Sequence, residues 1–206
     1  MQVLFRIAVI IFLFGLFGAA PLFAQKDRKA SGDKVIVQIE TELGAIEIAV
    51  DERRAPATAA NFLKYVDGGY YNGGRFHRTV RIDPDNQPNN TVKIEVVQGG
   101  IDPEKAKSGF SAIKLERTNA TGLRHKNGTI SMARSGPDTA TSDFFICIGD
   151  QPELDFGGKR NADGQGFAAF GEVIKGMDVV TKIQRSSADG QTLKPFIKIL
   201  KAERKK

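Results

Sequence analysis

Residues 128–149, GTISMARSGPDTATSDFFICIG, decide the fold, because they place two apolar strand-like runs on either side of a polar loop. Residues 129–132 predict a short strand, and residues 144–148 are a β-branched and aromatic run of strand length. Residues 136–138, Gly-Pro-Asp, are typical of a tight turn, since proline fixes φ and glycine accepts unusual values. The small residues 139–142 leave backbone groups approachable. The stretch therefore predicts a groove in which an extended peptide can lie.

Alternating apolar and polar residues outside this stretch predict six further strands and two helices. Pro56 begins the first predicted helix, residues 67–69 end it, and the second covers residues 177–183. Residues 81–91 hold two prolines and three asparagines and predict a surface loop, whereas residues 101–126 predict coil. The six strands cover residues 35–40, 45–50, 76–80, 92–98, 168–174 and 195–200. Eight strands in all favour a mainly β fold, a closed barrel filled by side chains.

The N-terminal residues have the composition of a targeting signal. Arg6 supplies a positive charge, residues 7–18 are apolar, and Ala24 ends a passable cleavage site. Residues 1–24 are therefore predicted to be a signal peptide, and the protein to be exported to the periplasm or outside the cell. An uncleaved membrane anchor is the alternative, because residues 7–24 carry no charge, and membrane association is expected only in that case.

Length and composition predict one globular domain behind this signal. The chain has 206 residues, of which 41% are hydrophobic, and this is enough to form a core. The polar residues 25–34 predict a flexible lead-in, residues 35–202 the folded domain, and residues 203–206 a basic tail. We expect the domain to be a monomer.

Charge and cysteine content exclude several classes of partner and cofactor. The 30 basic residues exceed the 24 acidic ones but are spread along the chain without an aromatic-interleaved stripe, so no nucleic-acid partner is expected. Cys147 is the single cysteine; it cannot form an internal disulfide and is predicted to be a buried strand residue. Two histidines and one cysteine are too few for a convincing transition-metal cluster, so no metal and no cofactor is expected.

Five short motifs follow one another along the chain: Phe76-His77-Arg78, Gln98-Gly99-Gly100, the opening stretch, Leu154-Asp155 and Phe170-Gly171. In this order they resemble the cyclophilin family of peptidyl-prolyl cis-trans isomerases, over most of residues 35–200. Residues 132–134 and 176–179 are most similar to the bacterial exported branch of that family. The resemblance implies a closed eight-stranded antiparallel barrel capped by two short α-helices, which agrees with the strand count.

The resemblance also implies an active site. Arg78 matches the catalytic arginine of the family, and Gln98 matches the glutamine that holds this arginine and the substrate carbonyl. Ala133 and Arg134 are implied to bind the peptide through their backbone. The remaining substrate-binding positions, which are apolar, are Val96, Phe145 and Leu154 in the proline pocket and Phe167 where the family has a histidine.

Four further positions are assigned to the site, three of them because they depart from the better-known pattern of the family. Glu95 occupies an aromatic pocket position, Asp143 a glutamine position and Glu153 a frequent tryptophan position. His77 matches a position that is better interpreted as structural. The spacing from Arg78 to Gln98 is also longer than in the family, because of the segment around residues 81–91.

Three functions remain open from the sequence. The first is an isomerase that acts, without cofactor, on X-Pro bonds of unfolded or extended proline-containing polypeptides and assists the folding of exported proteins. The second is a cyclophilin-like peptide-binding or chaperone module with little isomerase activity, favoured by the acidic residues Glu95, Asp143 and Glu153. The third, a ligand-carrying barrel such as a lipocalin, predicts an open apolar cavity inside the barrel, and the Arg78 and Gln98 motifs count against it.

Overall fold

The computed structural model describes residues 34–205, so the predicted signal peptide and all of the predicted lead-in except Lys34 lie outside the described residues. Within residues 34–205 there are nine strands: β1 (Val35–Thr41), β2 (Gly44–Val50), β3 (Arg75–Val80), β4 (Val96–Gly100), β5 (Thr129–Met132), β6 (Phe144–Cys147), β7 (Ala168–Lys175), β8 (Ala188–Asp189) and β9 (Thr192–Arg204). The helices are α1 (Pro56–Asp67), the single turn α2 (Thr118–Thr121) and α3 (Met177–Arg185), with 3-10 helices at Pro103–Ser108 and Pro152–Leu154.

Eight of the strands form a closed ring. Their order is β1-β2-β7-β5-β6-β4-β3-β9, every neighbouring pair is antiparallel, and β9 pairs with β1 to close the barrel. The two-residue strand β8 forms a hairpin with β9 and lies outside the ring. The predicted closed eight-stranded antiparallel barrel is therefore confirmed.

Helices α1 and α3 are the two predicted helices, whereas α2 and the first 3-10 helix interrupt the segment 101–126 that was predicted as coil. Pro56 begins α1, as predicted. The first turn of a helix leaves backbone N–H groups without partners, and here the Glu116 carboxylate accepts from Ala57 N at 3.1 Å and from Thr58 N at 2.7 Å. The coil segment thus fixes the start of the helix.

None of the helices within residues 34–205 is long and apolar enough to cross a membrane.

The closing strand β9 is longer than predicted and changes the domain boundary. Its last residues, Glu203 and Arg204, pair with Gln38 and Val37 of β1. The Arg204 guanidinium also contacts the Asp67 carboxylate at 2.6 Å. Residues 203 and 204 therefore belong to the barrel, and the prediction that the domain ends at 202 and is followed by a tail is wrong for these two residues.

Strand β4 begins later than predicted. Residues 92–95 were expected to be part of the strand, but both backbone groups of Ile94 bond to the Gln87 side chain, at 3.2 Å through the amide and 2.8 Å through the carbonyl. Because a side chain satisfies these groups in place of a neighbouring strand, regular pairing starts at Val96. Residues 81–95 therefore form one segment, which we call the insert.

The interior of the barrel is filled by side chains. Phe62 of α1 lies across one opening, where its ring is 5.4 Å from Tyr71, 5.9 Å from Phe144 and 5.0 Å from Phe170, measured between centroids. All four rings are buried. Such packing favours the filled barrel over the ligand-carrying one.

A second, smaller apolar cluster lies on the outside of the barrel. Its buried members are Val80, Ile94, Val96, Phe145, Cys147 and Leu154, and Ala133 and Phe167 pack against it. Cys147 is buried here in β6, as predicted, and burial raises the pKa of its thiol. This outer cluster contains most of the predicted proline pocket.

Candidate active site

A β-bulge at His77 sets the direction of Arg78. Phe76 is fully buried in the core, so strict alternation along β3 would also turn Arg78 into the barrel. However, Phe76 pairs with Gly99 and Arg78 pairs with the adjacent Gln98, so β3 has one more residue than β4 at this point. The extra residue reverses the alternation. Arg78 and Val80 therefore lie on the outer face of the barrel, beside the outer apolar cluster.

Three N–H groups of Arg78 are held by glutamine side chains. Nη1 donates to Oε1 of Gln98 at 3.0 Å, while Nε and Nη2 both donate to Oε1 of Gln191, at 3.0 and 2.7 Å. Burial lowers the pKa of Arg78, and the nearby charge of Arg160 lowers it further, but an arginine remains protonated at any physiological pH. The structure thus fixes a permanent cation at the surface of the barrel.

Gln98 connects this cation to a carboxylate. Its Nε2 donates to Oδ2 of Asp143 at 3.2 Å, which leaves its Oε1 facing Arg78. The same Asp143 oxygen lies 3.5 Å from Nε2 of His77. Burial lowers the pKa of His77, and Asp143 opposes this effect only in part. His77 is therefore a bulge residue that is uncharged at neutral pH, in agreement with the structural interpretation of this position.

A cavity of about 490 Å³, lined by both polar and apolar side chains, opens beside Arg78 and Gln98. Phe145 forms its floor and meets Phe167 edge to face, with 5.2 Å between ring centroids. The predicted site residues that line the cavity are Arg78, Val96, Gln98, Ala133, Arg134, Asp143, Phe145, Leu154 and Phe167. The structure thus brings the predicted catalytic pair and the whole predicted apolar pocket together at one site.

A buried polar group supports the floor of the cavity. The His125 ring stacks on Phe145 at 5.9 Å, with Nδ1 at 2.8 Å from the Asp155 carboxylate and Nε2 at 3.0 Å from Ser131 Oγ. Hydrogen bonds that link a serine, a histidine and an aspartate in this order are also found in hydrolase triads. Here, however, Ser131 is fully buried and cannot contact a substrate. Burial raises the pKa of Asp155, yet the two hydrogen bonds from His125, together with the nearby Arg124 guanidinium, outweigh it and leave the pKa lowered. These residues therefore fix Phe145 in place.

Comparison with known proteins agrees with this geometry. Residues 36–204 match the family described as cyclophilin type peptidyl-prolyl cis-trans isomerase/CLD. The chain belongs to the cyclophilin family. The matched range ends at Arg204, the last residue of β9. Membership also confirms the predicted enzyme class, since the family consists of isomerases that act on peptidyl-prolyl bonds.

Bacterial relatives and a solved structure show the same similarity. Peptidyl-prolyl cis-trans isomerase A of Dickeya dadantii is 37% identical over 181 residues, which cover 87% of this chain and 83% of that protein. A peptidyl-prolyl cis-trans isomerase of Acinetobacter baylyi is 40% identical over 149 residues, 72% of this chain and 71% of that protein. The crystal structure of a cyclophilin-type isomerase of Cryptosporidium parvum, determined in the presence of the dipeptide Ala-Pro, has a TM-score of 0.66 at 22% identity and covers 83% of this chain and 99% of that one. The last comparison shows the shared fold.

Arg134 of this cyclophilin has a buried side chain and an accessible backbone. Its side chain is 2% exposed; the two Nη atoms bond to Asp163 at 2.7 and 2.9 Å, and Nε bonds to the Gly166 carbonyl at 2.8 Å. The guanidinium also lies 5.0 Å from the centre of the Phe167 ring. The side chain thus holds the turn beside the cavity, which leaves the backbone to face a peptide. At Ala133 the N–H already donates to the Asp143 carbonyl, at 2.9 Å, so its carbonyl is the group left for a peptide.

Two of the four further positions, Glu95 and Glu153, do not line the cavity. The Glu95 carboxylate accepts from Gln184 Nε2 at 3.1 Å and does not line the cavity; Ile94 lies there in its place, packed with the outer cluster. The Glu153 carboxylate accepts from the Lys159 amide at 2.7 Å and is likewise absent from the cavity wall. Ile94 and Val96 lie two residues apart in the same outer cluster, so alternation turns Glu95 to the opposite side, where Gln184 bonds to it. Glu153 caps the turn that follows its own 3-10 helix.

Sequence reasoning missed Gln191, Ile94 and Arg160 at this site. Gln191 is 113 residues from Arg78 and lies in the turn between β8 and β9, where the only local signal is Gly190. Ile94 and Arg160 both line the cavity, but neither belongs to one of the five motifs.

Within residues 34–205, no group of three or more His, Cys, Asp or Glu side chains is arranged to hold a metal ion.

Proposed function

We propose that this cyclophilin accelerates rotation about X-Pro bonds in unfolded or extended polypeptides outside the cytoplasm, and so assists the folding of exported proteins. The observation that carries the proposal is the position of Arg78, a fixed cation in a cavity whose wall includes the apolar side chains of Val96 and Phe145. In this proposal Arg78 donates a hydrogen bond to the prolyl nitrogen in the twisted transition state.

The chemistry needs one well-placed donor. Resonance gives the X-Pro amide partial double-bond character and a rotation barrier of about 18–20 kcal/mol. At the twisted geometry the nitrogen lone pair is localised and accepts a hydrogen bond, whereas in the planar ground state it is delocalised. A cationic donor at this nitrogen therefore stabilises the transition state more than the ground state. Raising the rate from about one event per hundred seconds to about a thousand per second requires roughly 7 kcal/mol.

Arg78 has donors left for this purpose. An arginine carries five N–H groups. Gln98 and Gln191 occupy three of those on Arg78, which leaves one N–H on each terminal nitrogen among the residues described. The glutamine oxygens restrain the guanidinium without neutralising it. A group held in this way loses little freedom when the substrate arrives, which favours catalysis.

The apolar part of the cavity wall supplies the second requirement, a place for the proline ring. Val96, Phe145 and Leu154 are each nearly fully buried and present apolar surface beside Arg78. Burial of the ring there holds the prolyl nitrogen near the guanidinium and removes water from around the hydrogen bond, which strengthens it.

The proposed location of the protein outside the cytoplasm rests on its N-terminal sequence. Residues 1–24 have the order of charge, apolar run and small residue that is typical of a signal peptide. We expect the exported protein to begin at Gln25, and N-terminal sequencing of the protein from the medium or periplasm tests this. A chain that still begins before residue 7 contradicts cleavage and supports the membrane-anchored alternative.

A protease-coupled turnover assay on an Ala-Pro peptide tests the reaction. The wild-type protein should accelerate isomerisation, and Arg78→Ala should lower kcat/KM at least about a hundredfold, because it removes a charge-assisted bond made in the transition state. Arg53→Ala is the matched control, since Arg53 is exposed and does not line the cavity. An inactive wild type that still binds the peptide would contradict the isomerase and favour the peptide-binding module.

A further inference from the structure

Arg160 places a second cation in the cavity, and the mechanism above does not use it. It follows the 3-10 helix Pro152–Leu154 and lines the same cavity as Arg78. The insert holds its guanidinium, because Nη1 donates to Oε1 of Gln87 at 3.0 Å and to the Val92 carbonyl at 2.5 Å. Arg160 is therefore held in place from one side of its guanidinium.

The other side of the Arg160 guanidinium is free. Neither Nε nor Nη2 donates to any atom of residues 34–205, and neither is among the buried unpaired atoms of this part of the chain. No carboxylate of the same residues lies within 4.0 Å of it. Arg134, a third arginine at the cavity wall, differs because both of its Nη atoms bond to the Asp163 carboxylate, which also neutralises its charge. The free N–H groups of Arg160 thus face the solvent of the cavity.

The charges around the cavity favour an anion near Arg160. Arg78 and Arg160 are bonded to uncharged oxygens only, among the residues described, and the two cations are close enough for Arg160 to lower the pKa of Arg78. Asp143 is the carboxylate that lines the cavity; it is 41% exposed and bonds to Gln98, and within residues 34–205 it bonds to neither Arg78 nor Arg160. A negative group between the two arginines would reduce their mutual repulsion.

We propose that Arg160 is a specificity-determining residue that binds a carboxylate of the substrate beside the proline, so that X-Pro peptides with a flanking acidic residue are preferred. The inference rests on the proposed isomerase function. A guanidinium suits this task, since its planar donors match a carboxylate and the bonds to Gln87 and Val92 fix its orientation before binding. The insert would then select the substrate as well as support the cavity.

The test compares peptides that differ in one charge. Isomerisation is measured by NMR exchange, without protease, on end-blocked Ala-Ala-Pro-Glu-Ala against Ala-Ala-Pro-Gln-Ala, and on Ala-Glu-Pro-Ala-Ala against Ala-Gln-Pro-Ala-Ala. In at least one pair we expect kcat/KM to be about five- to tenfold higher for the Glu peptide at low salt, and the ratio to fall in high salt. The pair that shows the preference identifies the side of the proline that Arg160 contacts.

Variants assign the preference to Arg160. In Arg160→Gln the Glu to Gln ratio should fall to about 1, in Arg160→Lys part of it should remain, and in the exposed control Arg53→Gln it should be unchanged. Equal turnover of both peptides by the wild type, or a ratio that survives in Arg160→Gln, overturns the inference and leaves the isomerase function intact. If the wild type turns over none of the four peptides, the proposed function fails together with the inference.

Discussion

Two nitrogen atoms of Arg78, Nε and Nη2, donate to the same oxygen, Oε1 of Gln191, at 3.0 and 2.7 Å. The other end of the Gln191 amide is fixed too, since its Nε2 donates to the Asn86 carbonyl at 3.0 Å. The Asn86 side chain in turn bonds to the carbonyls of Thr79 and Gly190, at 2.9 and 3.1 Å. The insert therefore determines which atom of Gln191 faces Arg78, and Gln191 is a second positioning residue beside Gln98.

Gln191→Ala should lower kcat about tenfold and change KM much less. The substitution removes two charge-assisted bonds, which frees the guanidinium to rotate away from the prolyl nitrogen, while the apolar side chains proposed to bind proline are untouched. Turnover kinetics on an Ala-Pro peptide measure both constants. Gln38→Ala on β1, which does not line the cavity, is the matched control. An unchanged kcat in a folded Gln191→Ala protein would show that Gln98 alone positions Arg78.

Ile94→Ala should raise KM several-fold with a smaller change in kcat, because it removes part of the wall against which the proline ring packs. Ile94 is 5% exposed, so we also expect the free energy of unfolding to fall by about 2–3 kcal/mol. Urea unfolding and turnover kinetics measure the two effects. Ile82→Ala is the control within the same insert, since Ile82 is 48% exposed, and it should change neither quantity. Equal KM values for the two variants would remove Ile94 from the binding site.

The barrel could be predicted because it depends on local patterns, whereas the pairing of Arg78 with Gln98 was implied by the family resemblance. Alternation along each strand reports which residues pack together, and the motifs around Arg78 and Gln98 lie on β3 and β4, which are adjacent and pair at those two residues. The placement of Phe145 and Leu154 in one apolar group was implied by the family resemblance and not by local patterns. Alternation thus predicted the strands, and the resemblance supplied the site residues.

The positions of Gln191 and Ile94 depend on contacts that form only in the folded protein. Gln191 reaches Arg78 only because β9 lies beside β3 in the closed barrel, which no local pattern reports. Ile94 enters the cavity in place of Glu95 because Gln87 satisfies the backbone of Ile94 and delays the start of β4. Side chain to backbone bonds of this kind follow from the folded geometry of the insert, and the family resemblance, which implied the pocket position of Glu95, does not report them.

The bulge at His77 should matter more than the His77 side chain. His77→Ala keeps the extra residue in β3, so Arg78 should remain on the outer face and kcat/KM should stay within about threefold of the wild type. Deletion of His77 restores strict alternation, which turns Arg78 towards the core and should abolish turnover. Circular dichroism and turnover of both variants check this. A loss of activity in His77→Ala comparable to that of Arg78→Ala would assign His77 a direct role in the reaction.

The buried Asp155 should make stability depend on pH in the acid range. Its pKa lies below the usual 3.8 in the folded protein, because the bonds from His125, together with the nearby Arg124 guanidinium, outweigh the effect of burial. A carboxyl group with a lowered folded pKa contributes stability that is present above its unfolded pKa and is lost as the pH falls through the folded value. The contribution should therefore be complete at pH 6 and decline below about pH 4.

Asp155→Asn tests this dependence. At neutral pH we expect it to lower the free energy of unfolding by about 2–3 kcal/mol, since it removes the charged partner of the buried His125 ring and leaves part of the group unsatisfied. Urea unfolding at a series of pH values should show the wild-type and Asp155→Asn curves converging as the pH falls below 4, whereas Asp178→Asn, which changes a carboxylate that is 72% exposed, should follow the wild type throughout. Curves for Asp155→Asn and wild type that stay parallel down to pH 3 would mean that the carboxylate holds His125 and Phe145 by its shape and not by its charge. In that case the floor of the proline pocket would keep its rigidity in acid, and turnover of peptides by the wild type would not decline with Asp155 protonation.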